Sequence, residues 1–217
     1  MVKAVDLINS LISRVKELFN LKNFTQLISD VLGKEYDKGL NEVELDLDMN
    51  LTPSSDKKED IILTGVETIG DFDSQMTDKL KTELMRGIAS GDTNTMIKKR
   101  IIGFFGKKPN QSKFNWNDRL NTILRTERNR AVNAGKFFAA KDSGLQGLRK
   151  YLDVIVDDRT SNICLAEHRK YGDEDKSIPM DKPFTVRAGN KTYTAMFPPF
   201  HPNCRTEMRI DSSKVKR

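Results

Sequence analysis

Apolar side chains return every third or fourth residue near the start of the chain. Val5, Ile8, Leu11, Ile12, Val15, Leu18 and Phe19 fall on one stripe of a helix over residues 2–20, with Lys3, Asn9, Arg14 and Lys16 turned away. Phe24, Leu27, Ile28, Val31 and Leu32 repeat the pattern and Gly33 is a stop signal, which predicts a helical hairpin able to dock on another protein's helices. The period then fades. Val43, Leu45 and Leu47 alternate with acidic residues over 41–47, a weak strand pattern, and residues 51–60 form a polar, turn-rich linker after an N-terminal arm of residues 1–50. Helical spacing resumes with Asp71 as a cap, followed by Met76, Leu80, Leu84, Met85 and Ile88 and ended by Gly91. Another helix runs from Asp92 through Met96, Ile97, Ile101, Ile102 and Phe105. A glycine-rich polar loop over 106–113 leads into a long helix over about 117–142, with Leu120, Ile123, Leu124, Val132, Phe137 and Phe138 as its apolar set.

Past residue 145 the alternation changes to a period of two. Residues 151–156 are β-branched and alternating, a strand. Asp157-Asp158-Arg159-Thr160-Ser161 is a turn and cap that opens a short helix. Phe184-Thr-Val-Arg and Lys191-Thr-Tyr-Thr flank Ala188-Gly189-Asn190 as a β-hairpin, and 205–210 alternates as a closing strand. The pattern predicts an α+β protein: a mainly helical N-terminal and central part, its second section covering 61–145, and a small β-hairpin module at 146–210 before a basic tail at 211–217. There are no internal repeats.

Cysteine and histidine sharpen this picture. The chain has two of each, and all four lie in two short pieces. Cys164 and His168 sit four apart, so on a helix they share a face with Cβ atoms about 5–6 Å apart. His201 and Cys204 sit three apart in Pro198-Pro199-Phe200-His201-Pro202-Asn203-Cys204, where Pro202 stiffens the turn and Pro198 and Pro199 hold the approach extended. Two thiolates and two imidazoles are the ligand set of a closed tetrahedral zinc site, which would clip the β module. The same residues also fit a Cys164–Cys204 disulfide, or buried thiols beside ordinary surface histidines. Disulfides are a habit of secreted chains, and the amphipathic first twenty residues, carrying Asp6 and Glu17, do not resemble a signal peptide; the expected origin is a cytoplasm, where thiols stay reduced. Four protein ligands leave no open position and no histidine to act as a base, so the expected site is structural rather than catalytic.

Charge adds a second candidate. Residues 98–142 carry twelve Lys/Arg against three acids, a balance of +9, whereas residues 35–60 carry nine acids against three lysines, a balance of −6. Lys98, Lys99, Arg100, Lys107 and Lys108 are therefore candidate contacts to DNA phosphates, set against the reading of two solvated helix faces of opposite sign. No apolar run is long enough for a membrane span.

Arg125, Thr126, Glu127 and Asn133 on the long helix, then Asp157, Asp158, Arg159 and Thr160, then Pro199, His201, Pro202, Cys204 and Arg205 occur in an order that resembles the phage Mu F-like head morphogenesis proteins, also called minor head or minor capsid proteins. The similarity covers about residues 61–210, and the His-Pro-Asn-Cys-Arg end is its most specific piece. His168 stands where the family's first cysteine pair has its second member, and Thr206 where the family has its final cysteine, so His201 and Cys204 are the ligands expected of that half. The resemblance implies a low-copy, non-enzymatic protein of the virion, made in the host cytoplasm, that binds the portal and other capsid proteins of a tailed virus or provirus and sometimes packaged DNA. The competing readings are a zinc-containing nuclease or toxin-like enzyme, which would have to use Asp157, Asp158, Glu127 or Glu167 as its base, and a host nucleic-acid-binding regulator.

Overall fold

The computed structural model describes residues 24–52, 54–90, 92, 96, 99 and 116–215. Three long helices come first: α1 (Phe24–Leu47), α2 (Ser55–Ala89) and α3 (Trp116–Asp142). They are followed by β1 (Arg149–Asp153), α4 (Asn162–Tyr171), a single 3-10 turn (Glu174–Lys176), β2 (Ile178–Pro179), β3 (Phe184–Ala188), β4 (Lys191–Ala195) and β5 (Glu207–Asp211). The fold is α+β. Residues 1–28 and 66–121 make one compact unit, and residues 29–65 and 122–217 make another, which contains every residue of the site described below. Of the first unit the described parts are helical segments of α1, α2 and α3 together with residues 90, 92, 96 and 99.

Within the second unit α1 and α3 touch backbone to backbone. A Cβ on Gly39 would stand 2.0 Å from the Val132 carbonyl oxygen, and one on Gly135 would stand 2.1 Å from the Tyr36 carbonyl oxygen. Only glycine permits so close an approach, and the two glycines face each other's helix. Around this crossing Leu32, Tyr36, Leu40 and Val43 form the buried stripe of α1, and Leu40 and Val43 pack with Ala139, Ala140 and Leu148. The other side of α3 offers Phe137 to a second cluster with Leu152, Tyr171, Phe184, Val186 and Met208, drawn from β1, α4, β3 and β5.

The strands form two small antiparallel sheets. β1 is central in a three-stranded sheet of order β2-β1-β5, with Leu152 opposite Met208, and β3 and β4 form a hairpin turning at Gly189, whose φ is +61°. Two lysines are nonetheless inside. Lys136 lies between carboxylates of Glu42 at 2.7 Å and Glu207 at 2.9 Å. Lys150 donates to the Met196 carbonyl at 2.7 Å with its ammonium 4.8 Å from the Phe137 ring centre and 4.9 Å from that of Phe184, and burial pulls its pKa down to about 8.

Several boundaries differ from those the pattern suggests. Helix α1 continues through Gly33, and the 41–47 stretch expected as a strand is its last two turns: Val43 is buried while Leu45 is 82% exposed, which is the outcome of a helical rather than a pleated repeat. Residues 55–60 of the expected linker belong to α2, and Asp71 is inside that helix rather than at its start. Strand β1 begins two residues earlier than expected and ends at Asp153. The approach to His201 is bent rather than extended, with bends at residues 196–198, 200 and 201; the Pro198–Pro199 peptide is cis. The expected helix over 2–20 and the loop over 106–113 lie outside the described residues.

Candidate metal centre

Ser161 caps α4, accepting a hydrogen bond from the Cys164 backbone N–H at 3.1 Å, and so fixes the first turn that carries Cys164. The facing loop is held by α3 and by the turn after β1. Asn203, in the left-handed region at φ +59°, donates its backbone N–H to Thr126 Oγ1 at 3.0 Å and its side-chain amide to Thr122 Oγ1 at 3.0 Å. Asn129 Nδ2 donates to the Cys204 carbonyl at 2.7 Å, and Asn133 Oδ1 accepts from the Met208 N–H at 2.6 Å, which aligns the start of β5 on α3. Arg205 reaches Asp157 with both terminal nitrogens, at 2.8 and 2.6 Å.

These restraints bring three of the four expected ligands together. One donor atom each from Cys164, His201 and Cys204 lie within 4.8 Å of one another, with both sulfurs buried and the imidazole half-buried. His201 Nε2 is 2.9 Å from Cys164 Sγ and 3.0 Å from Ser161 Oγ, while Nδ1 is 2.8 Å from the Pro202 carbonyl oxygen. A carbonyl only accepts, so Nδ1 carries a proton and Nε2 is the nitrogen turned to the sulfurs, where the hydrogen bond with Cys164 raises the His201 pKa; a metal would take the place of any Nε2 proton and bind the neutral ring. That tautomer is the one a metal-ligating histidine needs, with its other nitrogen held by a carbonyl. Both thiols are free. The Cys164 thiol is pulled far down, first by the hydrogen bond with Cys204 and then, against burial, by His201, Ser161 and Thr206; the same pairing and burial push Cys204 up. The cluster therefore favours at least one thiolate, the ligating form. The donor set fits a soft or borderline divalent cation such as zinc.

His168 is the correction. It is not part of the cluster: its ring lies over Gly172, where an added Cβ would stand 2.5 Å from Nδ1, and that nitrogen is buried without a partner. Three and four residues along a helix are both near neighbours of Cys164, and the packing of α4 buries the third. Glu167 is fully buried there, accepts from Thr206 Oγ1 at 2.6 Å, and has a pKa raised to about 7 by burial. The same Thr206 hydroxyl stands 3.7 Å from Cys164 Sγ.

The remaining candidate residues take structural parts. Glu127 is buried, its pKa is raised by burial, and its carboxylate is 3.1 Å from Arg130 Nε. Asp157 also accepts from the backbone N–H of Arg159, whereas Asp158 and Pro202 are exposed and Pro199 is half-buried. Arg125 lines a groove of about 300 Å³ with Asn129, Ile155, Asn203, Cys204 and Arg205, a groove whose lining includes neither Cys164 nor His201. Of the candidate DNA contacts, Lys99 is helical and exposed; Lys98, Arg100, Lys107 and Lys108 lie outside the described residues. Part of the charge separation is cancelled within the second unit, since Arg128 pairs with Glu35 and Lys136 with Glu42. Among the described residues no helix is long and apolar enough to cross a membrane.

A family model described as Phage Mu protein F like protein matches residues 78–209, more than half of the chain. No curated protein matches the chain, and no solved structure does.

Proposed function

Because the chain belongs to the Phage Mu protein F like family, we propose that it is a minor head protein, acting in head assembly of a tailed virus or provirus rather than in catalysis. The observation that carries this reading is the family match together with where the matched motif residues go. Thr126, Asn129 and Asn133 from α3 and Asp157 from the turn after β1 all grip the segment around Cys204. They spend their polar groups on building a small module and leave none of them free for a reaction. Cys164, His201 and Cys204 would hold a zinc ion in it. The bound ion would supply structural cross-linking between α4 and the 198–204 loop, in a module with too few strands to bury a large core alone.

Partners follow from the same reading. The amphipathic stretch at residues 2–20 docks on the portal, and the basic stretch holding Lys98, Lys99, Arg100, Lys107 and Lys108 meets packaged DNA. The test is co-purification of the tagged full-length protein with procapsids. The reading predicts recovery of portal and major capsid protein, lost on deletion of residues 1–20 while the zinc module stays folded. A protein that never enters particles, or that turns over DNA or RNA in a manner abolished by Asp157→Asn, contradicts it and favours the nuclease alternative.

A further inference from the structure

Glu167 is a carboxylate with no exposed surface, and no lysine or arginine makes an ion pair with it among the described residues. One of its oxygens, Oε2, accepts from Thr206; the other, Oε1, is buried with no hydrogen-bond partner. A buried carboxylate left half-satisfied is costly, and native proteins keep such groups where a cation or a donor completes them. Glu167 is linked to the cysteine–histidine cluster through one hydroxyl: the Thr206 Oγ1 that holds Oε2 also stands 3.7 Å from Cys164 Sγ. Cys164 and Glu167 are one helical turn apart on the buried face of α4.

Three protein donors leave a tetrahedral ion one position short; the Glu167 carboxylate is outside the set of atoms within 4.8 Å of one another and is joined to it through the Thr206 hydroxyl, so it would have to swing inward to reach an ion there. We propose that Glu167 supplies the fourth donor, so that the cation is held by two thiolates, one imidazole and one carboxylate, and His168 takes no part. This deepens the zinc reading above and rests on it. The ion would give Oε1 its missing partner, and the carboxylate would close the coordination shell to water and substrate. The site would then be closed and structural, as the sequence pattern suggests, but through a different residue from the one it names.

The test uses the reduced full-length chain and zinc alone. Infrared difference spectra with and without zinc, on protein carrying ¹³C-labelled glutamate, should show a zinc-induced change in a glutamate carboxylate stretch. Glu167→Gln should remove that change and weaken zinc binding at least tenfold, the scale on which ligands and their supporting partners matter. His168→Ala should leave both unchanged. A wild type that binds one zinc with no glutamate band, or a Glu167→Gln protein that binds as tightly, overturns the proposal and leaves the three-ligand site standing. A wild type that binds no zinc overturns the reading on which it rests. The labelled wild type decides the matter even where Glu167→Gln folds poorly.

Discussion

Asp157 and Arg205 meet in a two-bond fork, Nη1 donating to Oδ2 at 2.8 Å and Nη2 to Oδ1 at 2.6 Å. The fork ties the turn that leads into α4 to the residue after Cys204, so each half of the cysteine–histidine cluster is oriented by the other. The guanidinium also holds the Asp157 carboxyl well below the usual carboxylate range. Arg205→Lys keeps the charge and loses the paired geometry. We expect it to bind zinc but release it several-fold faster to a chelator, with helix content unchanged by circular dichroism. Unchanged release kinetics would show that the fork does not orient the site.

The Gly39–Gly135 crossing makes a sharper prediction. Alanine in place of glycine in a helix interior is intrinsically better by about 1 kcal/mol. Here the added Cβ would meet a backbone carbonyl at 2.0 or 2.1 Å, and backbone cannot swing aside as a side-chain tip can. Gly39→Ala or Gly135→Ala should therefore destabilise the protein by about 3 kcal/mol or more, the upper end of overpacking costs. Denaturant melts measure it, and a neutral result would mean the helices do not cross there.

Asn133 is fully buried and its Oδ1 accepts from the Met208 N–H at 2.6 Å, while its amide donates to the Asn129 carbonyl at 2.8 Å. Asn133→Ala leaves that N–H buried without a partner, at a cost of about 1–3 kcal/mol. Chemical denaturation should show the loss. Hydrogen exchange at Met208 should quicken most, because it loses its own acceptor.

Lys150 predicts a pH dependence. Its folded pKa, lowered to about 8 by burial from 10.5, lies below that of the unfolded chain. Between about pH 8 and 10.5 the unfolded chain holds a proton that the folded chain has released, so stability contributed at this position rises with pH across that window and is flat below it. Relative to Lys150→Met, wild type should gain stability from pH 8 to 10.5, by up to about 3 kcal/mol. A difference that is constant or falls with pH would place the ammonium in a better-solvated site.

Much of the β module is legible in the sequence because its signals are local. The 184–195 hairpin follows from alternation around Gly189, and α4 from the capping Ser161. The cluster is legible in part because cysteine and histidine are so scarce that two spaced pairs stand out. What fails is what depends on tertiary packing. The i+3 and i+4 positions after Cys164 are equally near by helical geometry, and only the packing of α4 buries Glu167 and turns His168 onto Gly172. Gly33 reads as a stop, yet α1 runs on and a Cβ there would lie 3.5 Å from Ile62 of α2. Gly39 and Gly135 give no local sign that each is the other helix's contact point.

The proposed DNA contact is tested by salt. Affinity of the full-length chain for double-stranded DNA should fall steeply with ionic strength, and reversing Lys98, Lys99 and Arg100 to glutamate should weaken it at least tenfold at about 0.1 M salt and flatten the slope. Arg128 and Lys136, already paired with acids, should contribute little. Binding indifferent to salt or to the triple reversal would remove DNA from the list of partners.

Zinc stoichiometry tests the central claim about the site most directly. Elemental analysis of protein purified under reducing conditions should give about one zinc per chain. Cys204→Ser and His201→Ala should lose it, whereas His168→Ala should keep it. Protein that is zinc-free yet folded, or that loses its zinc with His168→Ala and keeps it with His201→Ala, would contradict the account.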